Sequence, residues 1–282
     1  MKIGRYEVSR LDAGRFRLDG GAMFGVVPKV LWEKQKPADE KNRIQMATNL
    51  LLIEGEGRRI LVDTGLGDKS DPKFAGIYAI DHSQFSLPKA LRARGLSPQD
   101  ITDVILTHLH FDHAGGATVR EEATGEIKPT FPNAKYYVQK RQFAWAVKPS
   151  ERDRASYLQE NFIPLQEHNQ LIVLEEEGEL FPDIELYVVD GHTPGHQMVA
   201  VRGGNTGLLY AGDLIPTAAH VPIPWVMAYD LEPLKTIAEK KQFLRMAVDQ
   251  GWMVFFEHDP EVYCATVQAT EKGFAVKEVV EW

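Results

Sequence analysis

Apolar residues recur in two rhythms along this 282-residue chain. Over 46–54 and 59–63 they run short and dense with Gly55 and Gly57 between them, which predicts two strands joined as a hairpin. Residues 86–94 have helical spacing, 103–107 read as a buried strand, 136–139 as another strand, and 141–147 as a helix ended by Pro149. The second half repeats the texture, with strands predicted over 184–189, 197–201, 208–210 and 253–256. Between the last two lies the longest helical pattern, 232–249, which is expected to bury Leu234, Ile237, Ala238, Leu244, Ala247 and Val248 on one face. Strands alternating with helices place the chain in the α/β class. No Ser/Gly linker or low-complexity run separates the halves, so a single domain over 1–282 is expected. Residues 213–230 carry Pro216, Pro222 and Pro224 among many apolar side chains, too proline-rich for a helix and too apolar for a solvated loop. They predict a packed loop beside a site.

Composition narrows the function. Lys+Arg 32 against Asp+Glu 40 gives a net charge of −8, which repels phosphate backbones and argues against nucleic acid. The single cysteine, Cys264, cannot form an internal disulfide, so a reducing compartment is permitted and the cytoplasm is expected. Residues 1–7 lack an apolar leader core, and stretches such as 50–53 and 252–256 fall far short of the ~18 residues a membrane span needs, so neither leader nor anchor is expected.

The chemistry concentrates in His108-Leu109-His110-Phe111-Asp112-His113-Ala114-Gly115-Gly116, directly after a predicted buried strand. While the chain is extended, side chains two apart share a side, so His108 and His110 can chelate one ion; the chain then turns towards Gly115 and carries Asp112 and His113 to a neighbouring position. Burying three imidazoles and a carboxylate together without a cation is costly. Other predicted strand ends offer His192, Asp213 and His258. One arrangement uses them all: His108, His110 and His192 on one metal, Asp112, His113 and His258 on a second, and Asp213 bridging.

HxHxDH followed by His, Asp and His resembles the metallo-β-lactamase superfamily. The likeness runs from Val62-Asp63-Thr64-Gly65, similar to that family's supporting aspartate, to His258. It implies a four-layer αβ/βα sandwich with a dinuclear site at strand ends. Within the superfamily, 108–116 and Gly191-His192-Thr193-Pro194-Gly195-His196-Gln197 are most similar to the N-acyl homoserine lactonases of bacilli that quench quorum sensing, as are 19–29, 216–220 and 225–230. In the motif at 191–197 the resemblance makes His192 the ligand and leaves His196 a supporting role. Those lactonases carry a tyrosine three residues after the bridging aspartate, where this chain has Pro216; His220 or Tyr229 is the expected replacement donor.

The expectation is a dinuclear metal-dependent hydrolase of acyl esters or lactones, with a metal-bridging hydroxide as nucleophile and Asp112 carrying the proton to the leaving alkoxide. Met23, Phe24, Phe111 and Trp225 are candidates to hold an acyl chain. Zinc is the first choice for the two divalent ions, with manganese, iron or cobalt as alternatives. The partner is a small acyl or lactone substrate, and a homodimer is compatible with the chain. Glyoxalase-II-like thioester hydrolysis and organophosphate hydrolysis are the alternatives that use the same ligands. An iron persulfide dioxygenase would need the first site alone, and a metal-binding scaffold would need a filled cleft. A dizinc β-lactamase would carry cysteine where Asp213 stands, and a flavodiiron protein glutamate where His110 stands.

Overall fold

A computed structural model describes residues 1–204 and 206–282. The chain forms two compact units, each built from two separate stretches: Met1–Gly14 with Thr48–Glu177, and Arg15–Ala47 with Gly178–Trp282. Nine strands precede Glu177: β1 (Lys2–Ile3), β2 (Tyr6–Asp19), β3 (Arg43–Gly55), β4 (Arg58–Val62), β5 (Asp103–Ile105), β6 (Thr118–Arg120), β7 (Ile127–Pro129), β8 (Lys135–Gln139) and β9 (Leu171–Leu174). The unit boundary falls within β2 and within β3.

One seven-stranded sheet has the order β1-β2-β3-β4-β5-β8-β9, and β6 and β7 pair separately. The β3–β4 hairpin is the one its glycines predict: Glu56 and Gly57 have φ of 51° and 74°, as a two-residue turn matching the twist of the strands requires. From β4 onward the partners β5, β8 and β9 are parallel, which calls for crossovers. The predicted helices appear there as Leu87–Ala93 and Lys140–Val147. The interior of this unit is apolar, with Leu50, Leu52, Leu61, Val104, Leu106 and Phe131 all buried.

The second unit holds β10 (Gly178–Phe181), β11 (Ile184–Val189), β12 (His196–Gly203), β13 (Thr206–Tyr210), β14 (Met253–Phe255), β15 (Cys264–Thr270) and β16 (Gly273–Val279), hydrogen-bonded in sequence order. Only β13 and β14 are parallel, and the helix Pro233–Gln250 lies between them in the chain. This helix stands where the periodicity places it, but its buried stripe is Thr236, Lys240, Phe243, Leu244 and Ala247. Leu234 is 80% exposed and Ala238 is exposed as well. Counting apolar residues alone misplaces the stripe. Thr236 lies against bare backbone at Gly191, where a Cβ would come within 2.4 Å of Thr236 N. The wholly buried Lys240 gives its Nζ to three carbonyls, those of Pro222 at 3.0 Å, Ile223 at 3.4 Å and Trp225 at 2.7 Å. Among the described residues no helix is long and apolar enough to cross a membrane.

The corrected stripe separates two leucines of one helix. Leu244→Ala, in the core, should cost about 2–5 kcal/mol in urea unfolding, whereas Leu234→Ala should stay within about 0.5 kcal/mol. Equal losses would show that the stripe is drawn wrongly.

Candidate metal centre

In the first unit the ligand-bearing turn starts where β5 ends. The residue after β4, Asp63, takes the left-handed conformation (φ 58°), uncommon for a side chain with a Cβ. Its buried carboxylate accepts from Thr107 N at 2.7 Å, Thr107 Oγ1 at 2.7 Å and His113 Nδ1 at 3.0 Å. Thr64 N and Oγ1 both donate to His113 O, at 2.8 and 2.7 Å. The residues 63–64 therefore hold both ends of the motif. Two glycines let the chain close behind it: a Cβ on Gly115 would lie 2.1 Å from Leu66 O and one on Gly116 2.3 Å from Thr64 O. Lys69 Nζ donates to the carbonyls of Gly115 and Thr118, and burial draws its pKa down to about 8.

These contacts fix ring tautomers. Thr107 Oγ1 has one hydrogen, given to Asp63, so at 3.1 Å it accepts from His108 Nδ1. His108 Nε2 is then a lone pair, 3.0 Å from His110 Nδ1, whose ring packs on Tyr157 with centroids 4.6 Å apart. His113 gives its Nδ1 proton to Asp63, which leaves its Nε2 lone pair 4.0 Å from Asp112 Oδ1. Asp112 is 6% exposed, and burial, with the Asp112 charge second, raises the Tyr78 hydroxyl. Phe111 packs edge-on to Phe74 at 5.0 Å and beside Tyr78 at 4.7 Å.

In the second unit the same device recurs on different elements. His258 Nδ1 faces Ala47 O at 2.8 Å, and a carbonyl can only accept, so Nε2 is again the lone pair; it points at Asp213 Oδ1, 3.1 Å away. His192 Nδ1 meets Asp230 Oδ1 at 3.0 Å, and its Nε2 lies 3.1 Å from Asp213 Oδ2. Lone pairs aimed at a carboxylate from both sides repel unless a cation lies between. A proton does this for His192, which burial disfavours as a cation but Asp213 and Asp230 hold up at about 9. A divalent ion serves both rings, and imidazole with carboxylate is the donor set that zinc, manganese, iron or cobalt takes. The site residues therefore fit divalent ions. His196 accepts at Nε2 from Asp213 N at 3.1 Å and so steadies the backbone of that carboxylate.

The other expected site residues divide by environment. His220 has both ring nitrogens engaged, Nε2 donating to Met23 O at 2.8 Å and Nδ1 accepting from Thr217 Oγ1 at 2.7 Å. It stacks on Phe24, with centroids 4.7 Å apart. Such a ring is a packed strut, and its hydrogen bonding does not support an oxyanion-donor role. Met23 and Phe24 are 0% exposed, and Phe24 lies between Trp32 and His220, which is core packing rather than a surface for an acyl chain. Trp225 is half-buried and Tyr229 is 37% exposed beside Asp230. Sequence reasoning passed over Thr107, Asp230 and Lys240. Thr107 heads the motif and Asp230 ends the 225–230 stretch, but Lys240 had no signal, because a lysine at a helical position reads as solvated.

The chain belongs to the metallo-β-lactamase superfamily, whose model matches residues 43–258, and is a hydrolase of that superfamily. It is 28% identical over 235 residues to an N-acyl homoserine lactonase of Bacillus cereus, spanning 78% of this chain and 84% of that one. The structure is similar to a probable metal-dependent hydrolase from Staphylococcus aureus, with a TM-score of 0.87 and 32% identity over the whole of both chains. It also shares the fold of AidC, a dizinc quorum-quenching lactonase solved with N-hexanoyl-L-homoserine, at a TM-score of 0.82 and 24% identity over 100% of this chain and 97% of that one. The mixed α/β class and the superfamily fold agree with expectation.

Burial holds His220 down at about 3. A base depressed in the folded state takes up a proton only in the unfolded chain as pH falls below about 6.5, so its share of stability is intact above that pH and is lost on acidification. The stability difference between wild type and His220→Phe should therefore be about 2 kcal/mol smaller at pH 5 than at pH 7 in urea unfolding. A difference that does not change with pH would mean that the ring titrates alike in the folded and unfolded chain and is not held down by burial.

Proposed function

We propose that this protein is a dinuclear metal-dependent hydrolase of acyl esters and lactones, with N-acyl homoserine lactones as the first substrate class and quenching of that signal as the consequence. His108, His110 and His192 would hold one ion and Asp112, His113 and His258 the other, with Asp213 serving both. The observation that carries the reading is the tethering of four histidines through Nδ1, which leaves each Nε2 to meet an ion, with those of His192 and His258 trained on Asp213. Relatives named N-acyl homoserine lactonase support the substrate class. When bound, two such ions, zinc first, bring the pKa of a water towards ~7 and polarise an acyl oxygen.

The chain's own groups supply the remainder. In this reading Asp112 takes the proton of the attacking water and returns it to the alkoxide that leaves when the acyl–oxygen bond breaks. Tyr229, part-exposed and adjacent in sequence to the aspartate that orients His192, is the hydroxyl donor for the developing oxyanion. Phe111, with Phe74 and Tyr78, offers an apolar shelf for an acyl tail, and Trp225 offers a second one. Cys264 is the single cysteine and so forms no internal disulfide, which suits action in the reducing cytoplasm; burial pushes its thiol up and keeps it unreactive.

Protein purified without chelator should carry close to two ions per chain by elemental analysis. Asp213→Ala should lose at least one ion and at least ~10²-fold in kcat/KM. Lactones of short and long acyl chain, a glutathione thioester and a phosphotriester, assayed side by side, test the substrate class. Thioester or phosphotriester turnover above every lactone would reject the lactonase reading and keep the dinuclear hydrolase; a fully metallated, active Asp213→Ala protein would reject the bridge.

A further inference from the structure

The helix Pro233–Gln250 carries two adjacent residues that collect backbone groups of opposite kind. The Glu239 carboxylate accepts from Asp190 N at 2.8 Å and Gly191 N at 2.9 Å, immediately before His192 in the chain. Lys240, wholly buried, donates to the carbonyls of Pro222, Ile223 and Trp225. An ammonium has three hydrogens and no acceptor, so three carbonyls match it. The loop thus gathered continues directly to Asp230, whose Oδ2 accepts from Met227 N at 3.1 Å and whose Oδ1 holds His192 Nδ1 at 3.0 Å. On the helix side there is no slack, because Gly191 lies against Thr236 too closely for a Cβ. Leu231 N and Glu232 N donate to the carbonyls of His192 and Gly191, at 3.1 and 2.9 Å, and close the frame.

We propose that Glu239 and Lys240 are positioning residues for His192: Glu239 sets the backbone that carries the imidazole, and Lys240 sets the loop whose Asp230 fixes the ring. This rests on His192 being a metal ligand, as put forward above, and adds the device that aims it. Neither residue touches an ion or a substrate. Each acts through groups that do, as supporting shells around metal ligands do. An ammonium placed to gather three carbonyls also explains why a lysine is kept at a wholly buried helical position, where an apolar residue would pack at no desolvation cost.

The test uses zinc-loaded protein and reads the rate at which zinc passes to excess EDTA, alongside thermal melting. Lys240→Met should melt cooperatively and release zinc about tenfold faster or more, as should Asp230→Asn. The double variant should be within about twofold of the faster single one, because both act on one path. Release at the wild-type rate from Lys240→Met, or effects that multiply in the double variant, would overturn the proposal, whatever the melting temperature does. Should Lys240→Met not fold, Glu239→Gln decides: release about tenfold faster or more, the lower end for such a contact, supports it, and any smaller change overturns it. These readings need no substrate, so a protein that hydrolyses no lactone leaves the inference standing, whereas a wild-type chain that takes up no zinc overturns it together with the dinuclear reading.

Discussion

A neutral imidazole has one hydrogen and one lone pair, and the structure rests on where the hydrogen goes. At His108, His113, His192 and His258 an Nδ1 hydrogen is tied in turn to a threonine hydroxyl, an aspartate, another aspartate and a backbone carbonyl. Each tie determines both the tautomer and the direction of Nε2. The four acceptors come from unrelated elements: the end of β5, the end of β4, the 225–230 loop, and Ala47 within β3. The fold can be understood as what holds these acceptors still.

Holding them has local costs that the sequence discloses once the geometry is known. Asp63 adopts a left-handed backbone that favours glycine, yet glycine could not receive the three hydrogen bonds that fix Thr107 and His113. Strain at one residue, on the order of 1–3 kcal/mol, is offset by contacts to an ionised carboxylate, each roughly 1.5–3 kcal/mol. Gly115 and Gly116 represent the reverse case. Neither has a positive φ; what excludes a side chain is the backbone of residues 64–66 pressed against them.

Much of this was legible in the sequence. The strand at 184–189 coincides with β11, and the long helix lies within one residue of its expected bounds, because both have uninterrupted periodicity. β2 was missed because its buried positions change phase at Ser9 and again at Gly14, with arginines at 10, 15 and 17 between them, so strict alternation never shows. β15 and β16 escaped because their far halves, Gln268–Thr270 and Lys277–Val279, are exposed and mostly polar, so apolar alternation does not run their length. In the site, residues that present chemistry were visible as HxHxDH and its partners. Those that work through backbone groups, Glu239 and Lys240 above all, were not, since a helical Glu-Lys pair carries no mark of what it holds.

The pairing of Ala47 with His258 has a consequence for how the chain is made. Ala47 N donates to His258 O at 3.1 Å while Ala47 O receives the imidazole proton at 2.8 Å, so two residues 211 positions apart complete one small ring of contacts. A ribosome delivers Ala47 211 residues before His258. Contacts of such long sequence separation form slowly, because a large loop must close before they can reward it. Residues 15–47 therefore leave the exit tunnel well before the residues that tie them to the later half of the chain, such as His220 on Met23 O and Asp259 on Lys36 Nζ. A chain interrupted before His258 leaves that early segment without its contact there, so the cost of an interruption falls on residues made 211 positions earlier.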